Sequence, residues 1–369
     1  MSKGITWVGL DVHKKSIQVA VLVGESQQAE VWQIETSERA VRRLARKLRK
    51  GTVGEIRCCY EAGPAGYTVQ RWLEGAKAGI VCELIAPSLI PVKPGERVKT
   101  DRRDAIKLAK MLREGSLTPV GPPTAAEEAV RDLCRCREDA QQDLLRARHR
   151  LNKFLLRRGL IWSGAAAWTQ RHAIWLRSLR FEAEADRMVF ADYLQVVELA
   201  LERVKRLTAA LEQAAACEPY ATPVGWLRCF RGVDTVTALT VVAELHGVER
   251  FASARKLMGF LGLTTTVYNT GEKRRHGPIT KTGNAHVRRV LVEAAWCQRY
   301  PAVASRALRR RRQGQPAEVI AIADRALRRL HQRYWHLTVR KPHGKVVVAV
   351  ARELAGFLWA ALRRPANAA

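Results

Sequence analysis

The chain has 369 residues, with 64 Lys and Arg against 35 Asp and Glu, a formal net charge of +29 and a pI near 10.5. The length favours more than one domain, and the charge favours a polyanionic partner, because cations that neutralise phosphates release counterions. No apolar run reaches the ~20 residues of a membrane span or follows a basic start as a signal peptide does, and the eight cysteines lack paired C-x-x-C spacing, so a soluble cytoplasmic protein with reduced thiols is expected, with no membrane partner, disulfide framework or zinc site.

Ile5-Thr6-Trp7-Val8-Gly9-Leu10 reads as a buried strand that delivers Asp11 at its end, and Ile17 to Val23 reads as a second strand after a short turn. Ala29 to Ile34 gives a third. Thr36 or Ser37 then caps a helix with Glu38 in its first turn and Ala40, Leu44 and Leu48 along it. The next strand, Glu55 to Tyr60, ends on Glu61, and a short helix around Tyr67 to Leu73 leads to a strand at Ile80 to Ile85. Thr100 can cap a further helix that begins with Asp101 and carries Asp104 one turn later, so both carboxylates share a face.

Asp11, Glu61, Asp101 and Asp104 thus fall on the first strand, the fourth strand and the last helix of a sheet whose order suggests a ribonuclease-H-like (RuvC-like) α/β domain over residues 1–120. Any one of them is ordinarily a surface acid or a helix-start charge. All four in this order point to a site for two Mg²⁺ ions, which take oxygen ligands and, in pairs, clamp the attacking and leaving oxygens of a phosphodiester.

Pro119, Pro122 and Pro123 mark a break, after which residues 121–218 are rich in Ala, Leu, Arg, Glu and Gln. Leu133, Leu144, Leu145, Leu151, Leu155 and Leu156 recur at helical spacing, which predicts two or three long helices as an antiparallel coiled-coil connector. The stripe serves either bundle packing or a dimerising arm. Arg146, Arg148, Arg150, Lys153, Arg157 and Arg158 make the other surface basic, either as a solvated face or as a phosphate-tracking one.

The third region, a mainly α domain over 219–369, begins near Ala221-Thr222-Pro223. Phe230 to Ala238 reads either as the hairpin of a helix-hairpin-helix element or as a plain helical turn capped by Asp234 or Thr235. Phe251, Leu257, Phe260 and Leu261 supply the core of a following helix. Tyr268 to Asn284 is expected to be a loop: Gly271, Gly277 and Gly283 permit close backbone approach, and Lys273, Arg274, Arg275, His276 and Lys281 can pair with phosphate oxygens alongside Thr280 and Thr282. Further on, Arg306, Arg309 to Arg312, Arg325, Arg328 and Arg329, with His331 and Trp335 nearby, offer nucleic-acid contact or a solvated face, and the helix from Val346 to Leu362 packs on the domain.

Gly9-Leu10-Asp11-Val12-His13-Lys14, Tyr60-Glu61-Ala62-Gly63-Pro64 and Lys99-Thr100-Asp101-Arg102-Arg103-Asp104-Ala105 resemble the N-terminal motifs of the DEDD-type insertion-sequence transposases of the IS110 family. Gly271 to Arg275, and Gly277 to Asn284 continuing through Arg288, Leu291 and Glu293 to Trp296, resemble that family's C-terminal domain. The resemblance implies a DNA transposase or recombinase that cleaves and exchanges strands at insertion-sequence ends through a covalent hydroxyl–DNA intermediate. It implies guidance by a structured noncoding bridge RNA, and a nucleoid-associated dimer or tetramer in a prokaryote. It also implies DNA contacts by Lys273, Arg274, Arg275, Lys281, Asn284 and Arg288. In the family a serine precedes the glycine matched by Gly271; here the residue is Thr270, which carries the same hydroxyl with an added methyl. Thr270 is the expected nucleophile, with loss of strand transfer or a nucleophile elsewhere as alternatives; Ser253 reads as an N-cap. Two other functions stay open: a hydrolytic, junction-resolving nuclease that uses water at the carboxylates, and a catalytically degenerate nucleic-acid-binding relative.

Overall fold

A computed structural model describes residues 4–63, 65–87, 90–91, 100–270 and 273–363, without the side chains of 270, 273 and 274. Pro64, Lys99, Gly271 and Glu272 of the quoted motifs lie outside the described residues. The chain forms two compact units, Met1–Pro123 and Thr124–Ala369.

The first unit is a mixed α/β sheet: β1 (Thr6–Val12), β2 (Ser16–Val23), β3 (Glu30–Glu35), α1 (Glu38–Lys50), β4 (Ile56–Glu61), α2 (Thr68–Gly75), β5 (Ile80–Ile85), α3 (Asp101–Arg113) and β6 (Pro119–Val120). The strand order is β3-β2-β1-β4-β5-β6, with β1–β4 and β4–β5 parallel and the other pairs antiparallel. The two-residue β6 falls where the prolines predicted only a break; Pro119 is tolerated because it sits on an edge strand. Val8, Leu10, Cys58 and Tyr60 pack against Val41, Leu44 and Leu48 of α1 and Val69 and Leu73 of α2. The opposite face takes α3, through Ala105 and Ala109 against Ala20 and Leu22, and Leu108 and Leu112 against Cys59 and Ile85.

Gly9 makes the fit of α3 possible. A Cβ added there would lie 2.5 Å from the Ala109 nitrogen and closer still to the Ala105 carbonyl oxygen, so the helix backbone rests directly on the strand backbone. Small residues on both sides remove the layer of side chains that normally separates a helix from a sheet.

The second unit is mainly helical. Its α4 (Ala125–Leu156), α5 (Gln170–Ser178) and α6 (Glu184–Ala215) form the expected arm. Arg137 reaches Thr208 at 3.3 Å, Arg203 reaches Asp143 at 2.9 Å and Arg158 reaches Asp186 at 2.8 Å, a descending register that makes α4 and α6 antiparallel. The seam is Ala140, Leu144, Ala147, Leu151 and Phe154 against Val197 and Val204, the alternating three- and four-residue spacing of a coiled coil. Three members of the expected leucine stripe are outside this core: Leu145 and Leu156 are exposed, and Leu133 packs against the core of the later helices. Leu145 and Leu156 each follow a buried leucine, and the step of about 100° around the helix turns them out to solvent. The basic surface is partly used internally, since Arg146 pairs with Asp143 and Arg148 stacks 4.7 Å from the Trp168 ring centre.

The remaining elements are α7 (Ala221–Leu227), α8 (Thr235–Leu245), α9 (Ala254–Phe260), strands β7 (Thr265–Thr270) and β8 (Lys273–Ile279), α10 (Ala285–Ala295), α11 (Arg306–Arg312), α12 (Ala317–Thr338) and α13 (His343–Leu362). Leu227, Leu239, Leu257, Leu291, Leu330 and Leu354 share one core. Asp234 caps α8 by accepting from Thr237 N at 2.7 Å, and Ser253 caps α9. The arginine run of α11 is not wholly outward: Arg312 donates to Cys229 O at 3.0 Å and Asp324 at 2.7 Å, and Arg311 donates to Val233 O at 2.7 Å. All eight cysteines are free, and among the described residues no helix is long and apolar enough to cross a membrane.

The contact over Gly9 gives a test. Gly9→Ala should destabilise the first unit by about 1–3 kcal/mol, the usual cost of overpacking. Hydrogen exchange on the full chain should show faster exchange in β1 and α3 with the arm unchanged; unchanged protection in β1 and α3 would refute the close-packing account.

Candidate active site

The register of the parallel strands places the first two acids. Gly9 pairs with Cys59 and Leu10 with Tyr60, so Asp11 and Glu61 follow at the adjoining ends of β1 and β4. Side chains alternate along a strand, and Gly9 and Cys59 face α3. Asp11 and Glu61, two residues on, therefore project to the α3 side. The third and fourth acids arrive from the start of α3, where Thr100 accepts from Arg103 N at 3.4 Å and the Asp104 N–H bonds to Thr100 O at 3.0 Å.

One ligand atom from each of Asp11, His13 and Asp101 lies within 4.8 Å of the others. His13 Nε2 is 3.1 Å from Asp11 Oδ2 and 3.6 Å from Asp101 Oδ1. The Asp11 side chain is 19% exposed, against 58% for Asp101. Burial pushes the Asp11 carboxyl above its usual range; His13 works against this, while the charges of Asp101 and Asp104 add to it. Asp104 is thus within electrostatic reach of Asp11, although neither it nor Glu61 belongs to the closest group. Two carboxylates and an imidazole whose ligand atoms converge are a donor set that a divalent cation can use, and its charge would offset the burial penalty on Asp11.

The second set of expected residues lies in the other unit. Tyr268 to Asn284 is not an irregular loop: β7 and β8 pair antiparallel, with Tyr268 opposite Arg275, Asn269 opposite Arg274 and Thr270 opposite Lys273. The run Thr264-Thr265-Thr266-Val267-Tyr268 has the β-branched and aromatic composition of a strand, which the glycines and cations further on obscured. Thr270 is the last residue of β7, and Lys273 and Arg274 open β8. Arg275 and Lys281 are exposed.

Asn284 and Arg288 have internal partners instead. Asn284 caps α10, accepting from Val287 N at 2.9 Å, and donates to Glu244 at 2.7 Å. Arg288 donates to Leu261 O at 2.9 Å and Thr282 O at 3.0 Å. Gly283, at φ +67°, lies so close to Phe260 that a Cβ would overlap its carbonyl oxygen, which fixes the base of the hairpin on the end of α9.

Sequence reasoning missed two residues. His13 was legible: residues 11 and 13 share a side of an extended segment. Glu244 is 4% exposed and sits in the apolar run of α8, where Arg135 grips it through two bonds of 2.7 and 3.0 Å. Burial opposes its charge, but the bonds from Arg135 and Asn284 prevail and hold the carboxyl below its usual range.

The family model described as Transposase IS116/IS110/IS902 family matches residues 226–308, and a DEDD transposase model of IS110 type matches residues 8–158. The protein y4qE of Sinorhizobium fredii, named as a transposase, is 39% identical over 360 residues, covering 97% of this chain and 88% of its own. The transposase for insertion sequence element IS1533 of Leptospira borgpetersenii is 37% identical over 339 residues, covering 91% and 97%. The transposase for IS1111A of Coxiella burnetii is 25% identical over 221 residues, covering 59% of each.

The electrostatics of Asp11 predict a trade of stability against function. Asp11→Asn removes a charge that burial disfavours and should raise the melting midpoint of the metal-free protein at neutral pH by about 1–2 °C, the size expected of a small charge penalty in a domain this large. A raised folded-state pKa means the carboxylate destabilises the fold once ionised. The gain should therefore vanish well below pH ~4, where the carboxyl is protonated in both states. A melting midpoint that falls at neutral pH would contradict the burial penalty.

Proposed function

The chain belongs to the IS116/IS110/IS902 family of transposases, and from that premise we propose that it cleaves and rejoins DNA strands through a covalent bond to Thr270. The observation that carries this reading is the convergence of Asp11, His13 and Asp101, with Asp104 in electrostatic reach, at the end of the central strand pair. The sheet order agrees with a ribonuclease-H-like, RuvC-like domain.

Asp11, Glu61, Asp101 and Asp104 would hold the divalent ions, with Mg²⁺, two per site, the expected species. When bound, such ions neutralise the phosphate and polarise its attacking and leaving oxygens. The Thr270 hydroxyl loses its proton and its oxygen attacks phosphorus; the P–O3′ bond breaks, and the departing oxygen takes up a proton as a 3′-hydroxyl. The product is a 5′-phosphothreonyl ester that keeps the energy of the phosphodiester, so that religation to another 3′-hydroxyl needs no nucleotide. Lys273, Arg274, Arg275 and Lys281 are assigned to phosphate binding. Asn284 and Arg288 hold the hairpin base through the bonds described above, and act by positioning it. The reaction requires the hydroxyl and the carboxylates at one phosphate, within one chain or between copies, and exchange of four strands requires a dimer or tetramer. A structured guide RNA is compatible with the net charge of +29, since a basic surface grips RNA through its backbone and shape.

The test is Mg²⁺-dependent cleavage of DNA from the element's ends, with its flanking RNA, resolved on denaturing gels. A protein–DNA adduct is expected in the wild type and in Thr270→Ser, reduced by roughly 10³-fold or more in Thr270→Ala and in Asp11→Asn. Cleavage that persists in Thr270→Ala without any adduct would establish a hydrolytic nuclease instead. An adduct confined to Thr270→Ser would mark the natural chain as a weakened transposase.

A further inference from the structure

The four-carboxylate site leaves one converging side chain without a role. His13 follows β1 directly, and its Nε2 stands 3.1 Å from Asp11 Oδ2 and 3.6 Å from Asp101 Oδ1. Its backbone is held on both sides: His13 N donates to Ser16 O at 2.9 Å, and Thr36 Oγ1 donates to His13 O at 2.8 Å. These bonds fix the turn after β1 and keep the imidazole on the Asp11 side of the sheet end. The closest set of potential ligand atoms among the described residues is thus one nitrogen and two carboxylate oxygens, not oxygens alone.

We infer that His13 is itself a ligand of the cation held by Asp11 and Asp101, and that it biases this position toward a transition-metal ion such as Mn²⁺ over Mg²⁺. The inference rests on the proposed reading of the carboxylates as a cation site and specifies one of its positions. The chemical reason is ligand preference. Mg²⁺ demands oxygen and retains water, so an imidazole adds little to its binding. Mn²⁺ shares the carboxylate preference but belongs to the first-row series whose ions also accept nitrogen. The competing role is a hydrogen bond that only orients Asp11. That role would support either ion equally.

Two substitutions separate these roles in the full-length protein. His13→Ala removes the imidazole entirely, whereas His13→Gln keeps an amide of similar reach that can still bond Asp11. Calorimetric titration with Mn²⁺ and with Mg²⁺, and pulsed electron paramagnetic resonance of the Mn²⁺ complex, give two readouts independent of cleavage. The wild type should show nitrogen-14 coupling to Mn²⁺. Both variants should lose that coupling and about tenfold or more in Mn²⁺ affinity, the scale on which outer partners already act, while Mg²⁺ affinity moves by less than about threefold. Mn²⁺ binding without nitrogen coupling in the wild type, or wild-type Mn²⁺ affinity in His13→Gln, would overturn the assignment. If the wild type binds neither ion, the cation-site reading itself fails. If Asp11→Asn abolishes binding of both ions while the His13 variants change nothing, that reading stands and the His13 ligand falls alone.

Discussion

At Gly9 the backbone of α3 lies directly on the backbone of β1, with no room for a single methyl group between them. The candidate chemistry of the first unit depends on that approach. A helix held off by an ordinary layer of side chains would carry Asp101 and Asp104 away from the strand end, and Asp11 would keep a solvated carboxylate. With the helix seated, the start of α3 closes over the end of β1, Asp11 is four-fifths buried, and that burial disfavours its charge. The fold itself thus holds a carboxylate where burial disfavours its charge, and a cation that entered would offset that penalty.

The second unit solves a related problem with the opposite charge balance. The hairpin β7–β8 is fixed at its base. Glu244, buried in α8, receives Arg135 from α4 and Asn284 from the start of α10. Glu138, also on α4, receives His286 at 2.7 Å and Arg289 at 2.6 Å from α10. Both carboxylates are largely buried while Arg135 and Arg289 stay partly exposed, so desolvation offsets part of the attraction, and removing a cation would strand a buried carboxylate. Their value is geometric. They join the long helix of the arm to the helix that follows the hairpin, so that the orientation of one is tied to the orientation of the other.

Much of the fold was legible because periodicity and caps are local. The apolar run through Trp7-Val8-Gly9-Leu10 marked β1, and Ser37, Thr100 and Ser253 marked helix starts that the structure bears out. The places where expectation and structure part are those decided by long-range packing. Consecutive leucines at 144 and 145 look equivalent in sequence, and only the position of α6 selects Leu144 for the seam. Arg312 looks like surface charge until Asp324 and the Cys229 carbonyl enclose it. For the same reason the role of Gly9 appears only when α3 is in place. The hairpin was hidden because its cations and glycines outweighed a short strand-forming run.

The central claim is that the first unit assembles a divalent-cation centre at Asp11 and Asp101. Crystals of the protein soaked in Mn²⁺ and measured at a wavelength with strong manganese anomalous scattering test it directly. The account predicts an anomalous peak within about 2.5 Å of carboxylate oxygens of both residues, the range of such metal–oxygen bonds. A bound ion at other residues only, or no peak at Mn²⁺ concentrations that support DNA cleavage in solution, would contradict it.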